Sequence, residues 1–370
     1  MEISAVHLHL SSSPKMVRMS QINKNELSCR LKAFSLICAV LVVFVHCVPD
    51  EILGAPQFSP GWWINRLWTE TVCRMAVPAF FFMSGYWLAK HAEKNGWWKD
   101  AIRKRLKSLL VPYVIWNVGY WALVTFELWL GMRFFGKAGP EDFTWRTIPD
   151  VLGFTTATPF SVPHWFIKQL MLFVLLVPPF AWMIKRSKML TIIVVFGTLF
   201  IAPIRPSWCF VYIGNMFYFL GGFAVMIWWQ IPRPRGWQVG LVCFACAMIL
   251  QVGHEAGCLL SSHNFVWGYV RSICIIPLIA YAVYSFAGVG LPCVRVGDGM
   301  AFPIYLTHCI VLHFARTITR NVSQFNCIIH YNPYVTYVGM WGLALVVSVA
   351  VTLSIRRLAP RVADVVYGGR

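Results

Sequence analysis

The run Leu36-Ile-Cys-Ala-Val-Leu-Val-Val-Phe-Val-His46 decides the fold class. With its flanks, about 32–50, it reaches the roughly 20 apolar residues that cross a bilayer. It also ends in an ionisable side chain, which is costly in such a run and points to a role beyond packing. Nine further runs follow, at about 72–90, 108–131, 164–184, 188–204, 208–229, 237–253, 267–289, 300–315 and 334–354. The least distinct pair, 188–204 and 208–229, is separated only by Pro203-Ile-Arg-Pro206, which suits a tight turn. The expected fold is therefore all-α, a polytopic integral membrane protein with about ten transmembrane helices and no visible internal repeat.

Composition supports this reading. The 370 residues are 58% hydrophobic and 12% charged, about half the charged fraction of a soluble domain. A net charge of +18 invites a nucleic-acid partner, but topology accounts for it better. With the N-terminus inside, 22 of the 32 Lys and Arg fall in inner segments, 7 in outer segments and 3 within spans. That bias follows the positive-inside rule, puts both termini in the cytoplasm and leaves no charge for nucleic acid to explain. Residues 1–28 read as a cytoplasmic N-terminal tail without a compact apolar stretch, so the first span serves as the targeting signal. Residues 29–358 form the transmembrane domain and 359–370 a cytoplasmic C-terminal tail. The longest outer loop, about 132–163, could cover a site.

Several chemistries are excluded by spacing. Cys243 and Cys246 make a C-x-x-C pattern inside an apolar helix, with no second pair, and read as packing residues. Ser84 has no G-x-S-x-G around it, and no H-E-x-x-H or Walker loop is present. His308 and His313 are five apart and do not share a helical face, so no metal site is expected. Asn321-Val-Ser323 is a glycosylation sequon, which means nothing if the host is bacterial.

Orientation then groups the unusual side chains. His46 lies near the outer end of the first span, Arg74 near the outer start of the second, and His164 with Trp165 at the outer start of the fourth. Lys168 follows His164 by four residues on the same face. His308 sits near the middle of the ninth span, and Glu127 is an acid near the outer end of the third. Each taken alone could pack, or snorkel to headgroups. Three at one level suggest a site. Imidazole is the natural proton acceptor at neutral pH, and a guanidinium holds an anion or a carbonyl oxygen.

Four segments resemble the membrane acyltransferase-3 family, bacterial inner-membrane enzymes that O-acylate surface and cell-wall sugars. Val42-Val-Phe-Val-His46 looks like its first-helix motif. Arg74-Met-Ala-Val-Pro-Ala-Phe-Phe-Phe-Met-Ser-Gly-Tyr86 is similar to its most specific one. His164-Trp-Phe166 and Ile304-Tyr-Leu-Thr-His308 look like two more, and Arg103 and Arg105 before Pro112 resemble its basic segment. The motifs occur in family order over about residues 30–315. One departure is Ser35, which stands where the family usually has a basic residue; Arg30 and Lys32 lie further back.

The resemblance implies an acyl-CoA donor, acetyl-CoA or another acyl-CoA such as the succinyl form, from the cytoplasm. It also implies a saccharide acceptor outside, in the cell envelope, and no nucleic-acid partner. The expected site has His46 as general base and Arg74 on the acyl carbonyl, with His308 as a second polar anchor. His164 and Trp165 shape the acceptor entrance, and Lys168, Ser84, Tyr86 and Tyr305 also contact substrate. Arg103, Arg105 and Lys107 are expected on the CoA phosphates. A homo-oligomer is left open. Two rivals remain: an exporter of a glycan or glycolipid, which predicts inverted repeats and broken midplane helices, and a non-catalytic subunit in which these side chains only pack.

Overall fold

The computed structural model of the chain describes residues 14–92, 96–129, 148–154, 158–201, 213–229, 231, 236–257, 264–287, 299–321 and 332–369. Among these residues every regular element is a helix. Eight helices are long and apolar enough to cross a membrane, and two shorter apolar ones accompany them. The all-α polytopic expectation therefore holds, with the two shorter helices at the fifth and sixth expected spans.

In chain order the elements are α1 (Pro14–Cys47), α2 (Asp50–Leu53), α3 (Pro60–Ala89), α4 (Trp97–Glu127), α5 (Ile148–Val151), α6 (Val162–Arg186) and α7 (Lys188–Ile201). They continue with α8 (Gly214–Trp228), α9 (Trp237–Glu255), α10 (Val266–Phe286), α11 (Ala301–Asn321), α12 (Pro333–Leu358) and α13 (Pro360–Val366). Helices α3 and α4 begin well before the apolar runs that announced them. Their first turns are amphipathic and polar, so a count of apolar residues passes over them. The loop expected at 132–163, the turn at Pro203–Pro206 and Ser323 of the sequon fall wholly or largely outside the described residues.

Three helices widen into π-helical turns, at Ile64–Val72, Leu106–Leu110 and Arg271–Ile275. Each stands shortly before a proline, Pro78, Pro112 or Pro277. Proline lacks the N–H of the next ladder bond and crowds the preceding turn, so the helix relaxes just upstream.

Two packed clusters organise the bundle. In the smaller one α1 meets α11 and α12 through Ala39, Val43, Ile304, Leu312, Met340 and Ala344. The larger one is centred on α3, α6 and α8, with Phe81, Phe173, Phe219 and Phe223 fully buried. Here α3 and α8 cross at backbone contact. A Cβ on Gly85 would strike the Phe219 carbonyl, and one on Gly222 would strike the Phe82 carbonyl. Apolar tails solvate apolar side chains as well as other helices do, so helices in a bilayer associate through such close approach of small residues.

The segment after α12 does not hang loose. Helix α13 docks on α4: the Trp116 indole donates to the Val366 carbonyl at 3.0 Å, Tyr367 is fully buried against the Trp116 ring, and Gly368, at φ +68°, lies on the Ser108 backbone.

Candidate active site

Helix packing brings four rings into a row. His46 on α1 lies 5.3 Å, centroid to centroid, from His308 on α11. His308 lies 6.0 Å from Tyr305, one turn back on α11, and Tyr305 lies 5.9 Å from His164 at the start of α6. His308 and His164 are fully buried, and His46 is half-buried at a cavity wall. The Nδ1–H of His308 donates to the Ile304 carbonyl at 3.2 Å, and the Tyr305 hydroxyl donates to the Pro163 carbonyl, tying α11 to the turn that opens α6.

Cavities flank this row on both sides. One, of about 240 Å³, is lined by His46, Tyr120, Ser161, Pro163, His313 and Arg316, among others. The other, of about 500 Å³, is lined by Lys32, Ser35, Ser84, Arg105, Phe166 and Tyr305, among others. The first is reached from the end of α1 that carries His46 and the second from the end that carries Lys32. At about 1.5 Å per residue those two positions are roughly 21 Å apart along the helix. The row of rings thus runs between the two chambers, with His46 lining the smaller and Tyr305 the larger.

The expected site residues divide on this geometry. His46, His308, His164 and Tyr305 come together in this row. Ser84 lines the larger chamber, while Tyr86 is buried two residues along, on the other side of the same helix. Trp165 packs near Phe81, 6.4 Å between centroids, and the Lys168 ammonium donates to the Gly153 carbonyl at 2.8 Å. Neither lines either chamber.

Arg74 is not among the chamber-lining residues. It is 55% exposed and pairs with Glu70 at 2.9 Å, one turn back on α3. The guanidinium at the smaller chamber is instead Arg316, which donates to the His46 carbonyl. The basic trio also separates. Arg105 lines the larger chamber with Lys32, whereas Arg103 and Lys107 are exposed on an open face beside Trp98 and Ile102. Residues two apart on a helix point about 200° apart, while those four apart share a face.

Sequence reasoning passed over four contributors. Arg316 was assigned to an outer segment. His313 was considered only as a metal partner for His308; its Nε2–H donates to Glu127 at 2.7 Å in a buried pair joining α11 to α4. Asn117 on α4 bonds His164 at 3.2 Å, and Tyr120 lies against His313 at 5.4 Å. An Asn and a Tyr in an apolar run carry no charge signal, and only the glutamate, an intramembrane acid, could have flagged its partner. Among the described residues no group of three or more His, Cys, Asp or Glu is placed to hold a metal ion.

Residues 34–357 match the model of the acyltransferase-3 family, described as an acyltransferase domain. The chain belongs to this family. It is also similar to the succinoglycan biosynthesis protein ExoH of Rhizobium meliloti, at 26% identity over 174 residues, a stretch that covers 45% of each chain. No solved structure matches. The family match takes in His46, Arg74, His164 and His308, so the four-segment resemblance read from the sequence is borne out at family level.

Proposed function

We propose that this chain is a membrane-embedded O-acyltransferase. It moves an acyl group, in our reading acetyl, from cytoplasmic acyl-CoA to a hydroxyl of a surface or cell-wall sugar. The observation that carries the proposal is a pair of chambers, one lined by His46 and the other by Tyr305, joined by a row of rings. A donor confined to one side and an acceptor confined to the other need a shared reacting point, and the row His46–His308–Tyr305–His164 is that point.

In this reading the chain lies in the bacterial inner membrane with both termini cytoplasmic, so the chamber of Lys32 and Arg105 faces the donor. Those two cations receive the CoA phosphates, since charge-assisted bonds to phosphate are among the stronger polar contacts. His46 faces the acceptor and removes the proton of the attacking hydroxyl as general base. Arg316 holds the end of α1 in place through its bond to the His46 carbonyl. Tyr120 and Phe160, which line the smaller chamber, suit the face of a sugar ring. The partial likeness to a protein of succinoglycan biosynthesis favours a polysaccharide acceptor.

The test is direct. Full-length protein in proteoliposomes receives acetyl-CoA on one side and un-acylated surface polysaccharide, taken from cells lacking the protein, on the other. Ester formation with release of CoA is the expected result. Polysaccharide that crosses the membrane unmodified would mark an exporter instead.

A further inference from the structure

The side chain of Asn117 determines what His164 can do. Asn117 Oδ1 accepts the Ser161 backbone N–H at 3.0 Å, and an N–H can only donate. That fixes the orientation of the amide. The Nδ2 group is then the donor, and it gives one hydrogen to the Tyr113 carbonyl at 2.8 Å and the other to His164 Nδ1 at 3.2 Å. His164 Nδ1 is therefore an acceptor and carries no proton, so the proton of the neutral ring sits on Nε2. A second proton could bind only at Nδ1, where the Asn117 donor already stands. His164 is thus built to remain neutral and to donate, and it cannot serve as a base without losing that bond.

The donor it presents has no partner. His164 is 1% exposed and its Nε2 is buried without a hydrogen bond. The Leu306 carbonyl lies on that side but outside hydrogen-bonding geometry. Leaving such a donor unpaired is costly, and buried donors of this kind are rare in native structures. A second orphan lies close by: Ser161 Oγ is also buried and unpartnered, and it lines the smaller chamber. Position agrees with chemistry. Ser161 and Pro163, just before His164, line one chamber, and Phe166, just after it, lines the other. His164 therefore lies between residues that line the two chambers.

We propose that His164 Nε2–H, with the Ser161 hydroxyl beside it, receives the acyl carbonyl oxygen and holds the oxyanion that forms there. This role rests on the acyl-transfer reading above. The acceptor oxygen attacks the thioester carbon as its proton goes to His46. A C–O bond forms, and the carbonyl π pair moves onto the oxygen held by His164. When the carbonyl re-forms, the C–S bond breaks with its electron pair on sulfur, and the proton on His46 completes the thiol of CoA. His164 enters and leaves this cycle neutral.

Hydroxylamine separates the roles, because it attacks thioesters without a general base but still passes through an oxyanion. For His164→Ala we expect kcat to fall by about 10²–10³-fold, the effect of deleting one oxyanion donor, and equally with polysaccharide and with hydroxylamine as acceptor. The KM for acetyl-CoA should change less than threefold, on the order of the scatter set by context. For His46→Gln, hydroxylamine should restore transfer. If His164→Ala elutes as aggregate, His164→Gln carries the test and should keep more activity, because its amide still donates. ¹⁵N NMR of His-labelled wild type should show Nδ1 unprotonated and Nε2 protonated across the active pH range.

The proposal is overturned by kcat within tenfold of wild type in folded His164→Ala, by a loss that hydroxylamine rescues, or by a proton on Nδ1. A wild type that consumes no acetyl-CoA with either acceptor refutes the acyl-transfer reading itself, and this role with it.

Discussion

His46 and the Glu127–His313 pair make opposite demands on their surroundings. In its proposed role His46 exchanges a proton with a ligand, and it stands at the wall of a chamber. His46→Ala should lower acyl transfer by at least about 10²-fold, the lower bound for losing a general base. CoA release at saturating substrates checks this, and a loss of less than tenfold would remove His46 from the base role. The Glu127–His313 pair links two helices within the bundle. Removing one partner breaks this buried hydrogen bond, which costs about 1–3 kcal/mol. Glu127→Ala should therefore lower the thermal midpoint in detergent markedly, and an unchanged midpoint would show that the pair holds nothing together. The histidines of the row were legible in the sequence because each interrupts an apolar run or closes a motif. Their partners were not. Asn117 stands 47 residues before His164, and nothing in the sequence around either residue records that they meet.

At the scale of the helix, apolar composition locates the spans but not their faces. The apolar runs located ten helices because hydrocarbon admits little else. Which side of α4 carries Arg105 depends on the rotation of that helix through a π-helical turn, and composition is silent on rotation. Two double variants follow from that facing. Lys32→Gln with Arg105→Gln should weaken acetyl-CoA binding by roughly tenfold or more, since hydrogen bonds to charged groups contribute about 1.5–3 kcal/mol each. Arg103→Gln with Lys107→Gln removes the same charge from the open face and should leave affinity within about twofold, because exposed charges are well screened. Equilibrium binding on monodisperse protein distinguishes the two. Equal losses would mean that bulk charge, and not the chamber, attracts the donor. Arg74 illustrates the same limit: the motif containing it was recognised, but its engagement with Glu70 depends on how the π-helical start of α3 turns.

For the molecule as a whole, the proposed topology, with both termini cytoplasmic, would orient both chambers at once. Reporter fusions after Phe58 and at Arg370 should read out external and cytoplasmic, respectively; the reverse pattern would exchange the donor and acceptor sides. The docked α13 also predicts that Tyr367→Ala lowers stability by about 3–5 kcal/mol, as for a large buried aromatic, although the residue lies far along the chain from either chamber. Thermal unfolding measures this. The crossing of α3 and α8 has a genetic consequence. At Gly85 and at Gly222 an added methyl meets the opposing backbone, so no smaller side chain on the neighbour can make room for it. A defect from Gly85→Ala should therefore have no suppressor at Phe219 or Phe82. Revertants should restore glycine itself, or else map to distant positions that let one whole helix slide.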